Sequence, residues 1–212
     1  MLPADMSGMA VIELGCGTGY VSGWMARRGA TVVGIDLSAR QLDTAARLAG
    51  EHGVELTLLH GNAEEVPAPD ASFDFAISEY GAALWCDPYR WVPEAHRLLR
   101  PGGQLVTLSN SSLLQVCYPR DGSLPVSDRL AGDYFSLYRS DWSDAKDDPG
   151  GIEFGLPISS WFRLFDDTGF DIVGFLEIQA PPDAEGEQFG VPADWARRFP
   201  SEQVWKVRKR TG

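Results

Sequence analysis

Apolar positions follow two rhythms along the first half of the chain. Short β-branched runs at residues 9–14, 31–35, 54–59, 73–78 and 104–109 read as buried strands. Helix-period stretches lie among them. One covers residues 20–28 and is closed by Gly29. A longer one runs from an N-cap at Ser38 to about His52, with Gly53 as its stop. A third covers residues 88–100 and ends at Pro101-Gly102-Gly103. Strands and helices in alternation predict βαβ units on a parallel sheet, an α/β fold. Past Asn110 the rhythm breaks. Residues 110–150 show no clean period, yet they hold Tyr118, Tyr134, Phe135, Tyr138 and Trp142. A long irregular stretch in a compact domain is usually a lid, a binding loop or disorder, and these aromatics favour a packed element. Residues 159–168 then read as a helix stopped by Gly169. Residues 170–178 read as a sixth strand, 193–198 as a short helical piece within a loop, and 204–208 as a last strand.

Composition narrows the picture. The 212 residues are 44% hydrophobic and 23% charged, enough for the core of a single domain. Eighteen Lys and Arg against 30 Asp and Glu leave a net charge of −12, which repels phosphate backbones and argues against nucleic acid as a partner. Seven Asp between positions 121 and 148, set against Arg129, Arg139 and Lys146, make the irregular stretch acidic as well. Cys16, Cys86 and Cys117 are too few and too scattered for a disulfide framework, and no CxxC occurs. His52, His60 and His96 lack ligand-like spacing, so no metal site is expected. No apolar run approaches the ~20 residues of a membrane span, and the first residues lack the basic start of a signal peptide. A cytoplasmic protein without membrane contact is expected. The basic residues Lys206, Arg208, Lys209 and Arg210 read as a solvated strand end.

The most informative stretch is VIELGCGTG. A buried strand ends and turns through Gly15-Cys16-Gly17-Thr18-Gly19 into a helix. Glycine admits φ > 0 and lets a ligand approach without meeting a Cβ. Seventeen residues later Asp36 closes the second strand, where a carboxylate can accept both hydroxyls of a ribose. The spacing is G-x-G-x-G, with Tyr20 where a dinucleotide fingerprint places its third glycine. A pyrophosphate needs that close approach; a cofactor with an amino-acid tail does not.

At this point the sequence resembles the class I S-adenosylmethionine-dependent methyltransferases, in particular the small-molecule type 11 group. VIELGCGTG, VVGIDLS, GNAEEVP and HRLLRPGGQLV carry the resemblance, in order, over about half of the chain. The resemblance implies a Rossmann-like, doubly wound, seven-stranded sheet, mostly parallel, with an antiparallel last strand. It implies one methyltransferase domain over residues 1–212. Residues 9–109 would be the cofactor-binding half, 110–150 an inserted lid or acceptor segment, and 151–212 the C-terminal helix and strands. It implies S-adenosyl-L-methionine as cofactor. Gly15, Gly17 and Gly19, with the small Cys16 among them, would pass under its methionine part. Glu13 would orient its ammonium through water and Asp36 would take its ribose. Leu37 would pack on the adenine, Asn62 and Ala63 would face the adenine edge, and Ser78 would lie near the methionine amine. Asn62 stands where such proteins usually carry Asp, which implies weaker cofactor binding. Strand one begins eight residues after Met1. Relatives carry an earlier helical segment over the cofactor, so either the chain is shortened or another element supplies the cover.

The expected reaction is in-line displacement of the cofactor's methyl group by a small-molecule acceptor. Glu79 and Tyr80, just after strand four, are the candidate catalytic residues, with Glu79 as base. Trp85, Tyr89 and Trp91 read as packing. The segment Ser78-Glu79-Tyr80-Gly81 is unlike Asn-Pro-Pro-Tyr, which argues against amino-group methylation of adenine or glutamine. Cys86 does not follow a proline, unlike the nucleophile of cytosine-C5 methyltransferases. The alternatives are a protein that binds the cofactor without catalysis and, more remotely, a nicotinamide-dependent oxidoreductase.

Overall fold

The computed structural model describes residues 1–147 and 149–211; Asp148, one of the seven acidic positions above, lies outside them. Five strands alternate with helices in the first half: β1 (Ala10–Leu14), α1 (Tyr20–Ala26), β2 (Thr31–Asp36), α2 (Ala39–His52), β3 (Thr57–His60), β4 (Phe73–Glu79), α3 (Gly81–Trp85), α4 (Pro88–Leu98) and β5 (Leu99–Asn110). Then come α5 (Ser112–Cys117), a single 3₁₀ turn at Tyr134–Ser136, and the hairpin β6 (Arg139–Asp141) with β7 (Ile152–Phe154). The chain closes with α6 (Ile158–Thr168), β8 (Phe170–Ile178), the two-residue pair β9 (Glu187–Gln188) and β10 (Val191–Pro192), α7 (Ala193–Ala196) and β11 (Glu202–Lys209).

The main sheet has seven strands in the order β3-β2-β1-β4-β5-β11-β8. Its first five are parallel, and β11 runs antiparallel between β5 and β8. The expected mostly parallel sheet with an antiparallel last strand is therefore present. Alternate residues of each strand enter separate cores, which is why these strands read as continuous apolar runs. Ile12, Leu14, Ala76, Leu105 and Trp205 pack with α4 and α6 on one face. Val11, Phe75, Ile77, Val106 and Val204 pack with Met25 of α1 on the other.

Element ends follow local chemistry. The Ser38 hydroxyl caps α2, accepting from the Gln41 N–H, and Gly53 ends it in the left-handed region at φ 61°. Val54 N–H still bonds back to Ala49, which delays β3 to Thr57. The expected strand at 54–59 thus starts three residues too early. Strand β5 begins at Leu99 rather than Gln104. The Pro101-Gly102-Gly103 turn lies within it as a bulge, where Asp74 alone of β4 stands opposite the four residues 100–103 of β5. Of the basic end read as solvated, Arg208 is exposed, while Lys209 and Arg210 are tied down. Lys209 Nζ donates to the carbonyls of His96 (2.7 Å) and Leu99 (2.8 Å), tying β11 to the end of α4. Arg210 pairs with Asp171 at 2.9 Å and with Asp166.

The irregular middle of the chain is packed at its start, while Leu130 and Phe135 farther on are exposed. Leu114 and Cys117 of α5, with Val126, join Trp195 and Ala196 of α7 in a third small core. The hairpin β6–β7 closes the segment's far end, and Tyr138 Oη donates to Asp87 at 2.7 Å. The three cysteines are buried and free. Among the described residues no helix is long and apolar enough to cross a membrane, and no His, Cys, Asp or Glu cluster could hold a metal.

Candidate active site

The sheet order reverses at β1, whose two neighbours β2 and β4 lead to opposite sides, and ligands of open α/β sheets bind beyond the strand ends at such a point. A cleft of about 500 Å3 opens there. Glu13 of β1, Asp36 of β2 and Glu79 of β4 each place a carboxylate in its wall, and the glycine turn forms its floor.

The three glycines of that turn differ in role. All have positive φ, at 77°, 51° and 72° for Gly15, Gly17 and Gly19. A Cβ on Gly15 would lie 2.6 Å from Gly81 Cα, so these two glycines let the β1 turn and the start of α3 touch. A Cβ on Gly19 would press on Ala45 and Leu56 at 3.2 and 3.3 Å, and Gly19 does not line the cleft. Only Gly17 has open space above its Cα, where a Cβ would intrude on a ligand. Its N–H donates to Asp36 Oδ2 at 2.8 Å, while Oδ1 accepts from the Ser38 N–H at 2.8 Å. Asp36 thus shapes the turn, and each of its oxygens keeps a second lone pair. Cys16 is buried with its thiol against Gly34, and burial pushes that thiol up to about 12.

Glu13 is 2% exposed. The N-cap of α1 is a glycine without a side chain, and Glu13 takes its place: Oε2 accepts from both Ser22 N–H (2.7 Å) and Ser22 Oγ (2.5 Å). Burial raises its carboxyl to about 7, against the pull of these bonds and with help from Glu79 and Asp36. Burial likewise raises Glu79, and Glu202 adds to it.

Ser78 does not line the cleft. It is fully buried, donates to Leu14 O at 2.9 Å and accepts from the Ala83 N–H at 2.9 Å, so it latches β4 to β1 and caps α3. Leu37 is 65% exposed just past β2, its carbonyl held by His60 Nε2 at 2.9 Å. Asn62 Oδ1 accepts from the Glu64 N–H at 3.0 Å and so forms the turn that buries Ala63.

A second cavity, of about 340 Å3, adjoins the first, and Trp85 lines both. Its wall is aromatic, with Tyr80, Tyr118, Trp142 and Phe189 around Leu84 and Leu124. Glu79 and Tyr80, adjacent in sequence, therefore face adjacent cavities. Tyr80 has φ 54°, unusual for a residue with a side chain. Its hydroxyl donates to Glu202 at 2.6 Å; burial first, and then that bond, push its own ionisation upward. Of the aromatics read as packing, only Trp91 is in the core. Trp85 stands 49% exposed where the cavities meet, and Tyr89 lies half exposed against Tyr138. Sequence reasoning had no signal for Gly81, Phe189 or Glu202; it found Tyr118 and Trp142 only as members of an aromatic stretch.

Among the described residues no Lys or Arg lines either cavity. A dinucleotide's pyrophosphate would meet three carboxylates there, whereas a ligand with a sulfonium and an ammonium would be attracted. The open Gly17 and the acidic wall therefore fit S-adenosylmethionine.

Comparison with known proteins agrees. A family model described as a methyltransferase domain matches residues 12–107. The demethylmenaquinone methyltransferase of Tropheryma whipplei is 30% identical over 171 residues, 74% of this chain and 70% of that protein. The ubiquinone biosynthesis O-methyltransferase of Maricaulis maris is 34% identical over 100 residues, 47% of this chain; the chain spans only 39% of that relative's length. In fold, the chain resembles an S-adenosylmethionine-dependent methyltransferase from Mesorhizobium loti. Their TM-score is 0.76 at 22% identity, over 98% of this chain and 94% of that one.

Proposed function

The chain belongs to the class I S-adenosylmethionine-dependent methyltransferases, and from that premise we propose that it methylates a small molecule seated in the aromatic pocket beside Trp85. The observation that carries this reading is the pair of cavities sharing Trp85, one acidic and floored by the glycine turn, the other apolar. Residues 9–109 build the first, residues 110–150 supply much of the second, and residues 151–212 complete the sheet.

Gly17 and the turn around it would lie under the cofactor's amino-acid part, with Glu13 attracting its ammonium. Asp36 would accept the ribose hydroxyls through its remaining lone pairs. Leu37 would cover the adenine, and Asn62 and Ala63 would meet its edge. When bound, the cofactor supplies a methyl group on a positively charged sulfur. The protein's part is orientation and exclusion of water, which supply much of the rate in such transfers. Glu79 would take a proton from the acceptor, and its raised basicity suits that task. Tyr80, held by Glu202, would fix the acceptor's position.

Calorimetry tests the cofactor half. S-adenosylmethionine or its demethylated product should bind and NAD should not. Asp36→Ala should weaken binding at least about tenfold, since a hydrogen bond to a charged group is worth ~1.5–3 kcal/mol. Tight NAD binding, or an indifferent Asp36→Ala, would overturn the assignment. Labelled cofactor incubated with a metabolite extract then tests transfer itself.

A further inference from the structure

We infer that the aromatic pocket selects an acceptor carrying a cationic amine on a flat apolar body. This rests on the methyltransferase reading and names the class of molecule which that reading leaves open.

Five rings, those of Tyr80, Trp85, Tyr118, Trp142 and Phe189, surround the pocket, and ring faces attract cations. Among the described residues, the charged side chains that line the two cavities are all acidic. Glu153 lies in the pocket wall, Glu202 is held against the Tyr80 hydroxyl, and Glu79 lines the adjoining cleft. An anionic acceptor would lose its water there without gaining a counter-charge. A phenol could enter, but its phenolate would form among these carboxylates, with no Lys, Arg or His in either lining of the described residues to support it.

An ammonium enters without that loss, because the carboxylates supply its counter-charge. It enters as a cation and passes one proton to the Glu79 carboxylate. The freed nitrogen lone pair forms the new N–C bond as the sulfonium's S–C bond breaks, with that bond's electron pair left on sulfur. The product is a methylated ammonium, still cationic.

The test uses the whole chain saturated with S-adenosylhomocysteine, whose own binding is measured first by calorimetry. Three probes follow: (3-hydroxyphenyl)trimethylammonium, its uncharged isostere 3-tert-butylphenol, and 3-hydroxybenzoate. The cation should bind at least about tenfold tighter than its isostere, and the benzoate should give no measurable heat. Glu202→Gln should shrink the cation's advantage over its isostere about threefold or more. Trp142→Leu should shrink it too. Equal affinity for cation and isostere, preference for the benzoate, or an advantage untouched in both variants would overturn the inference. If S-adenosylhomocysteine binds but the cation preference is absent, only the acceptor class falls. If S-adenosylhomocysteine itself fails to bind, the methyltransferase reading falls first.

Discussion

Replacing Glu13 by Gln separates the cost of the cofactor site from its benefit. The folded protein holds this carboxyl at about 7, against an ordinary 4.5, chiefly because burial disfavours the ionised form. At about 1.4 kcal/mol per pH unit, the rise corresponds to about 3 kcal/mol. The folded value lies above the unfolded one. The group's contribution to stability is therefore complete below about pH 4.5 and is lost as pH rises to about 7. Glutamine keeps an acceptor for the Ser22 N–H and Oγ but carries no charge. At pH 8 Glu13→Gln should thus stabilise the empty protein by up to about 3 kcal/mol, roughly 6–12 °C in Tm for a chain of this size. At pH 5 the gain should be under about 1 kcal/mol, because the native glutamate is then protonated in the fold. Thermal melts followed by circular dichroism at both pH values read the difference. The same variant should bind S-adenosylhomocysteine more weakly at pH 8, having lost the charge that attracts an ammonium. In the unaltered protein, cofactor affinity should rise with pH through about 7, as binding drives a proton from Glu13. A stabilisation equal at pH 5 and pH 8, or a loss of stability at pH 8, would refute this account.

The two inner glycines should fail differently. Gly15→Ala should cost at least about 2 kcal/mol of stability through its clash with Gly81, visible as a lower Tm. Gly17→Ala should cost only about 1 kcal/mol of backbone strain yet abolish measurable cofactor binding by calorimetry. Asn62→Asp keeps the oxygen that accepts from Glu64 N–H and should tighten cofactor binding a few-fold through a charge-assisted bond; a large loss in a titration would mean that this loop does not meet the adenine. Limited proteolysis should cut within residues 141–151, and cofactor plus acceptor analogue should protect them. Trimming that stretch should spoil methyl transfer far more than cofactor affinity, since Gly17 and Asp36 are built elsewhere; equal loss of both would make it part of the cofactor pocket.

The order of strands and helices and the glycine turn at the end of β1 were legible in the sequence. Strand periodicity, the Ser38 and Gly53 caps and the glycine turn are short-range effects, written in residues that touch within a few positions of one another. That Asp36 would end β2 beside that turn also follows from local pattern, because a parallel βαβ unit brings successive strand ends together. The rest depends on contacts between distant parts of the chain. Ser78 reads as a residue near the ligand, and pairing of β4 with β1 turns its hydroxyl to Leu14 O. Glu13 lines the cleft as a polar group facing a ligand, and it is also the cap that Gly19 could not provide. Gly81 is needed because of a contact across the turn, which carries no local signature. The acceptor pocket joins Tyr80, Trp142 and Phe189, and Glu202 reaches Tyr80 across 122 positions because β11 inserts beside β5. Propensity and periodicity describe neighbours along the chain. A cavity is defined by residues that become neighbours only after the sheet has closed its order.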